Sequence, residues 1–593
     1  MRFERQFTVP ARPEAIWKLI ANTDSLNREI GLPSVAYAVQ QASEGRTRIL
    51  ARASAFGQEL EWVEHPFEWT APQEYVVQRE FNKGPFHSVR AGVRLAPDEK
   101  EPGKTRVLVY ADVEPRGFIG KMGATIGISR NVEQVRAATE QFAKFLNQEL
   151  ATPYPRRAGK VRLDAEALEA ARRRVLELGA PEAPLARVCE FLAAAPDEDV
   201  RGMRPFELAD RWRADRIETL RLFLLGTRAG LLEMTWNVLC PCCRVPKHEY
   251  PRMQELRSQS RCDYCEMGFS ADLDRLVEVR FTVHPAIRAT RTEVFCLGGP
   301  LNSPHVWAQQ RLPAGGTRTV DLELPPGRYT LRAMQTKHAR EFDVLPGEAE
   351  GTLSAGLSGS ELRLSGPSVA GPRVKLELAN TDGVEHLVRL EESRWTDSAA
   401  TAALVTALQD FRDLFSREFL APGEELALRS LSFLFTDLKG STALYERVGD
   451  ARAYVLVRDH FVILRRHIRE KHGAVVKTMG DAVMAVFLNP RDALDAALAI
   501  QAEFLERLRA GEADVIVKLG LHAGACIAVT ADEHLDYFGS TVNFAQRVQS
   551  ESEGGDLVCS EGFLAQGGVR ERLESEGGSS RPSRRKCGAS RSR

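Results

Sequence analysis

No stretch of the 593-residue sequence approaches the ~20 uninterrupted apolar residues that a helix needs to cross a bilayer, so no membrane-spanning helix is expected. The opening "MRFERQFTVPARPEAIW" also lacks an apolar core, carrying charges where a secretory leader needs hydrophobic residues, and a cytoplasmic location is expected. Charge of one sign is missing as well: 80 Lys and Arg stand against 81 Asp and Glu, for a net charge of -1. That balance excludes a global field for nucleic acid or an acidic membrane surface, so any polyanion site must be local. Cysteine is sparse, with 10 residues, and in a reducing compartment these are not expected to form a disulfide framework; where they cluster, they point to metal.

What is present exceeds one hydrophobic core, and ~4 domains fit the length. The expected class is multidomain α+β. Residues 1–152 begin with the strand-like "RFERQFTV" and a stretch in which Pro13 begins a helix and Gly31 ends one. Several strand-like runs follow. The segment closes on "ISRNVEQVRAATEQFAKFLNQELA", an amphipathic helix with Val132, Val135, Ala138, Phe142 and Phe145 near one face. This order resembles the START-like family of polyketide cyclases and lipid-transfer domains, and the resemblance implies a helix-grip fold whose cavity takes a small apolar ligand. Pro153, Pro155 and "RRAGK" mark a linker.

Residues 160–236 read as a helical, winged-helix-like segment. In "RPFELADRWRADRIETL" Asp210, Asp215 and Glu218 interleave with Arg211, Arg213 and Arg216, which leaves little net attraction for phosphates and argues against nucleic acid as a partner. Residues 237–274 contain two C-x-x-C knuckles, Cys240/Cys243 and Cys262/Cys265, separated by eighteen residues. Four thiolates at that spacing match a closed tetrahedral zinc site, which staples a fold and does not catalyse, and Cys242 is an alternative to Cys243. From 275 to 395 strands alternate with turns, "RLVEVRFTV" first among them, and a β-sandwich is expected. Knuckles, "LVEVRFTVHPAIR" and sandwich together resemble an uncharacterised domain found ahead of cyclase domains in bacterial signalling proteins. A helical linker, 398–426, leads to the last domain, 427–573.

There, "LRSLSFLFTDLKGSTALYERVGD" is an apolar strand ending at Asp437 and followed by Lys439, Gly440, Ser441 and Thr442 at a helix entry. Amides at such a turn can hold phosphate oxygens beside a metal held by the carboxylate. "VVKTMGDAVMAVF" reads as a β-hairpin with Asp481 at its tip and Lys477 four positions earlier. A Gly-Asp turn and a solvated Lys would be ordinary taken singly. An antiparallel neighbour could place Asp481 beside Asp437, which makes a two-metal site plausible. Finally, strands at Lys518 to His522 and around Cys526 to Val529 precede a helix opened by Gly539, on which Asn543 and Arg547 share a face.

At these residues the sequence closely resembles the catalytic domain of class III adenylyl and guanylyl cyclases, a ferredoxin-like α/β fold. The resemblance implies that Asp437 and Asp481, with the Leu438 carbonyl, hold two Mg²⁺ or Mn²⁺ ions, and that Gly440, Ser441 and Thr442 contact substrate. It implies that Lys477 and Asp536 read the base, that Asn543 orients the ribose, and that Arg547 stabilises the transition state. A Lys donor with an Asp acceptor matches adenine and opposes guanine, so ATP is the expected substrate. The family builds its sites across a head-to-tail dimer, so a homodimer is implied. The family's further strand pair is replaced by a basic, low-complexity end, 574–593, expected to be disordered. The expected function is therefore an adenylate cyclase with N-terminal sensor domains. A catalytically weak cyclase-like regulator and a DNA-binding transcription factor are the alternatives.

Overall fold

The structure is a computed structural model that describes residues 1–41, 47–55, 57–150, 152–154, 162–241, 244–262, 267–290, 293–334, 338–359, 361–393, 399–511 and 515–575. The chain is a mixed α/β protein. At the N-terminal end a curved antiparallel sheet includes Arg2–Val9, β1 (Glu68–Thr70), Glu74–Lys83, Phe86–Pro97 and Thr105–Pro115. Helix α1 (Ser129–Leu146) lies against it and places Val132, Ala138 and Phe142 in the same core as Val93, Val107 and Val109. Between helix and sheet is a cavity of about 130 Å³, its wall including Tyr75, Val77, Arg79 and Val135.

Four helices follow the linker, ending with α2 (Arg216–Arg228), whose Asp215 side chain caps the first turn by accepting from Glu218 N. α2 is the second helix of the expected winged-helix pair. Its Leu220, Phe223 and Leu224 are buried, and Arg221 donates Nε to Asp410 and Nη2 to the Arg469 carbonyl, so this helix is held inside the chain.

Strand β2 (Leu232–Leu239) pairs along its length with β3 (Val277–Val283). This corrects the expected boundary of the sandwich, because among the described residues β3 pairs with no strand after residue 300. The reason is visible in its side chains: Val277, Val279, Phe281 and Val283 all enter the core beneath α2. The strand-rich part runs instead from β4 (Val306–Leu312) to His386–Glu392, around a core of its own that includes Leu322, Tyr329, Phe342 and Leu376. It is not a separate sheet. β4 also pairs with β1, Ala308 opposite Thr70 and Gln309 opposite Trp69, which merges both regions into one sheet of 15 strands.

Two short helices, α3 (Ala402–Thr406) and α4 (Gln409–Leu414), form the linker. The C-terminal domain then runs β5 (Leu426–Leu438), α5 (Ser441–Val448), α6 (Asp450–Glu470), β6 (Ala474–Met479), β7 (Ala482–Phe487), α7 (Pro490–Arg509), β8 (Val517–Ala531), β9 (His534–Phe538) and α8 (Ser540–Ser550). The strand order is β6-β7-β5-β8-β9, with β10 (Leu557–Cys559) parallel to the start of β8. The two strands expected near 518–522 and 526–529 are one continuous strand, since Gly524 lacks the positive φ that would turn the chain.

Residues alternate between two cores along β5. Leu434 and Leu438 pack with Leu464 of α6 and Leu494 of α7, whereas Phe433 and Phe435 pack with α2, Trp236 and Phe411. The basic end expected to be disordered lies outside the described residues from 576 onward. Before it, a helix at Val569–Ser575 is tied to α7 through Arg572 Nε and Asp495 Oδ1, 2.8 Å apart.

Candidate active site

Alternation along β5 puts Asp437 on the face that carries Phe433 and Phe435, one residue before the strand ends. Asp481 opens the second strand of the β6–β7 hairpin after Gly480, whose φ of +65° makes the tight turn. Burial first, and the Asp481 charge second, hold the Asp437 carboxyl above the usual carboxylate range. Asp481 Oδ2 is itself buried and accepts no hydrogen bond. A carboxyl whose ionisation burial and a neighbouring charge disfavour, beside a carboxylate with an orphaned oxygen, forms a site that a cation would satisfy. Among the described residues no three His, Cys, Asp or Glu side chains gather as a preformed metal cluster. Further ligands would therefore come from the Leu438 carbonyl, water or phosphate oxygens.

Next to Asp437 the chain enters α5 through Gly440, at φ +66°, with no side chain capping the helix. Its first amides, those around Ser441 and Thr442, therefore remain free of side-chain caps. Two neighbours of the carboxylates escaped the sequence reading. The Tyr445 hydroxyl, on the second turn of α5, is raised in pKa by burial and then by Asp481 and Asp437. His460 of α6 is buried, and burial pushes its pKa down to about 4 against the opposing Asp481 charge. The inward spacing of Tyr445 and His460 on their helices was their only sequence signal.

Lys477 and Asp536, 59 residues apart, meet directly: Nζ donates to Oδ2 at 2.6 Å. The Tyr537 amide donates to Asp536 Oδ1 at 2.8 Å and fixes the carboxylate plane. Lys477 registers with Met484, and Met484 with Phe435, so this pair shares the face that carries Asp437. Asn543 and Arg547 are exposed on α8, where Arg547 Nε donates to the Asn543 carbonyl at 3.4 Å and its guanidinium lies 6.0 Å from the Phe544 ring centre.

Away from this site, Cys240 and Cys262 are both buried and belong to one small cluster, against which Val245, Phe269 and Met334 pack. Cys243 and Cys265, and the alternative Cys242, lie outside the described residues, so the described structure contains two of the four cysteines expected to bind zinc.

Residues 426–568 match the family model described as "Adenylate and Guanylate cyclase catalytic domain", and residues 168–293 match a family of unknown function (DUF5939). The second match ends beyond β3 and so encloses the β2–β3 pairing. An adenylate cyclase of Lachancea kluyveri is 31% identical over 185 residues, 28% of this chain and 10% of the relative. One from Schizosaccharomyces pombe is 32% identical over 167 residues, 25% of this chain and 10% of the relative. The chain thus spans about a tenth of the length of these fungal proteins. Among solved structures, the adenylyl cyclase CyaB from P. aeruginosa aligns at 22% identity over 26% of this chain and 83% of its own, with a TM-score of 0.23. With the paired carboxylates and the Lys477–Asp536 contact inside the first of these matches, residues 426–568 constitute an adenylate and guanylate cyclase catalytic domain.

Proposed function

We propose that the chain is an adenylate cyclase that converts ATP to 3′,5′-cyclic AMP and diphosphate in intracellular signalling. The observation that carries this reading is the 2.6 Å contact of Lys477 with Asp536 on the sheet face that also bears Asp437. Adenine presents an acceptor at N1 and a donor at its N6 amine. The Lys477 ammonium keeps two N–H donors after pairing, and Asp536 Oδ2 keeps a lone pair, so both groups on this edge of adenine can be met at once. Guanine's O6 and N1–H reverse both requirements, and a mismatched polar pair is strongly rejected.

Asp437, Asp481 and the Leu438 carbonyl are the groups that would hold two Mg²⁺ or Mn²⁺ ions, which when bound activate the ribose 3′-hydroxyl and neutralise the triphosphate. The amides around Gly440, Ser441 and Thr442 bind phosphate oxygens. Asn543 orients the ribose, and Arg547 stabilises charge developing at the α-phosphorus. The exposure of Asn543 and Arg547 supports a head-to-tail homodimer in which one subunit supplies them together with Lys477 and Asp536, and its partner supplies the carboxylates Asp437 and Asp481. The N-terminal region acts as a START-like sensor whose cavity takes a small apolar ligand. Cys240, Cys243, Cys262 and Cys265 hold a structural zinc.

The covering of this sheet face by the linker favours one alternative, a catalytically weak cyclase-like regulator. Incubating the purified chain with ATP and Mn²⁺ and quantifying cyclic AMP and diphosphate by mass spectrometry separates the two. Product in excess over that from GTP is expected, and no product at saturating Mn²⁺ would defeat the cyclase reading.

A further inference from the structure

β6 and β9 are edge strands at opposite ends of the catalytic sheet's main strand order, yet the sheet curls until Lys477 of one touches Asp536 of the other. An edge strand points alternate N–H and C=O groups away from the sheet, and these need partners from elsewhere. Here both edges find them on the same six-residue helix. Gln409 Oε1 accepts from the Val475 amide at 2.8 Å, two residues before Lys477. Arg412 Nη1 donates to the Leu535 carbonyl at 2.9 Å, one residue before Asp536.

Secondary contacts fix the two grips. The Gln409 amide is oriented by donating Nε2 to Asp413 Oδ1 at 2.8 Å. Arg412 is oriented by the Thr406 carbonyl, 3.0 Å from Nε, and its guanidinium lies 5.6 Å from the Tyr537 ring centre. Tyr537 Oη in turn donates to Thr406 Oγ1 at 3.3 Å, and its ring packs edge-on against Phe433 at 6.1 Å. The β6 grip falls at a bulge, since the register with β7 slips between Val475 and Lys477. A bulge re-aims the residues that follow it, so the position of the Lys477 ammonium depends on how Val475 is held. The clamp is itself anchored to the middle domain: Asp410 accepts from Arg221 of α2 at 2.9 Å and pairs with Arg469 of α6, while Phe411 meets Trp236 edge-on at 5.7 Å.

We propose that Gln409 and Arg412 are positioning residues that determine purine specificity: by clamping both edge strands they set the separation of Lys477 and Asp536. The inference rests on the reading of that pair as the base-recognition site. It makes base choice a property of the linker as well as of the catalytic domain. It also gives the middle domain a route to the site, because movement of α4 changes both grips together.

The test uses the full chain. Gln409→Leu removes the acceptor at similar volume, and Arg412→Met removes the donor while keeping the stem. Each is expected to raise the ATP KM about tenfold and narrow the ATP over GTP preference in kcat/KM about as much, with kcat within about threefold of wild type. Gln409→Glu combined with Asp413→Asn, which keeps an acceptor for Val475 and replaces the facing carboxylate by an amide that can donate to it, is expected to retain the preference. A uniform fall in kcat with an unchanged ATP to GTP ratio would mean a merely structural role and would overturn the proposal.

The same preference is read by titrating fluorescent mant-ATP and mant-GTP, independently of turnover. A chain that makes no cyclic AMP but loses its ATP binding preference in Gln409→Leu overturns the cyclase reading and supports the clamp. An active chain whose preference is unmoved in both variants overturns the clamp alone. If a circular dichroism melt shows that either variant is unfolded, Arg412→Lys, which keeps the charge over Tyr537 and a donor, is read instead. A shift of about two- to threefold is expected there, and none overturns the clamp.

Discussion

Gly520→Ala tests whether the placement of α8 governs the reaction. Gly520 lies on β8 directly beneath α8, and a Cβ built there stands 2.6 Å from Cβ of Gln549 and closer still to the Gln549 backbone. Unbonded carbons rest at roughly 3.6 Å, so α8 must retreat by about 1 Å. The obstacle is helix backbone and cannot rotate away. Overpacking of this kind costs about 1–3 kcal/mol, which a folded chain survives with a lowered melting temperature. The functional effect should be larger in proportion, because a shift of ~1 Å in transition-state groups costs on the order of 100-fold in rate, and Asn543 and Arg547 ride on this helix.

Gly524→Ala is the internal control. On the same face of β8, its new methyl would meet only the Thr541 side chain, Oγ1 at 3.0 Å and Cγ2 at 3.1 Å, which can give by a few tenths of an ångström. The measurements are kcat and KM for cyclic AMP formation beside a thermal melt for each variant. Gly520→Ala is expected to lower kcat by about 100-fold and Gly524→Ala by less than about fivefold. Equal and small losses in the two variants would refute the claim that α8 must sit where it does.

Three further outcomes are expected. The Asp437 carboxyl is held above its ordinary pKa by burial and by Asp481, so the folded state binds this proton more tightly than the unfolded state. The associated stability is present at low pH and lost as pH rises through the raised value. Metal-free Asp437→Asn should therefore melt higher than wild type at pH 7 and not at pH 4, while Mn²⁺ binding to wild type, followed by calorimetry, should weaken from pH 7 to pH 5. An unchanged melting difference across pH would show that the fold does not hold the Asp437 carboxyl above its ordinary pKa. Mixing inactive Asp437→Ala with inactive Arg547→Ala should restore activity to roughly a quarter of wild type, because random exchange makes about half of the dimers mixed, each with one intact site. No recovery despite demonstrated subunit exchange would place all the groups within one chain. Elemental analysis should find one zinc per chain, lost in Cys240→Ser; a metal-free purified protein would remove the zinc site.

The residues of the catalytic domain were readable because their chemistry is local. A carboxylate ends an apolar strand, a Gly-Asp turn joins two alternating runs, and an Asn and an Arg lie one helical turn apart. The curvature that closes Lys477 onto Asp536 left no such mark. Nor did the roles of Gln409 and Arg412, since a polar residue in a short helix reads the same whether it meets water or an edge strand. β3 was assigned to the wrong sheet because four inward apolar residues look alike in any buried strand, and only the core beneath α2 distinguishes its partner. The join between β1 and β4 spans more than 200 residues of sequence and rests on two registered pairs, too few to produce a pattern.

That join carries a consequence for how the polypeptide can be divided. β1 has neighbours on both sides, Glu74–Lys83 and β4, and its Trp69 indole donates to the Val306 carbonyl at 2.9 Å. Gln310 Nε2 donates to the Trp69 carbonyl at 3.0 Å and to Thr70 Oγ1 at 3.1 Å. A fragment ending at residue 152 would strip these groups and leave an indole and bare carbonyls along a freshly cut rim, the kind of surface that recruits other chains into ribbons. The N-terminal sheet therefore cannot be cut before Glu392, and because α2 and Trp236 share their core with Phe411, a chimera that splices a foreign output onto this region should keep α3 and α4 and place the seam after Leu414.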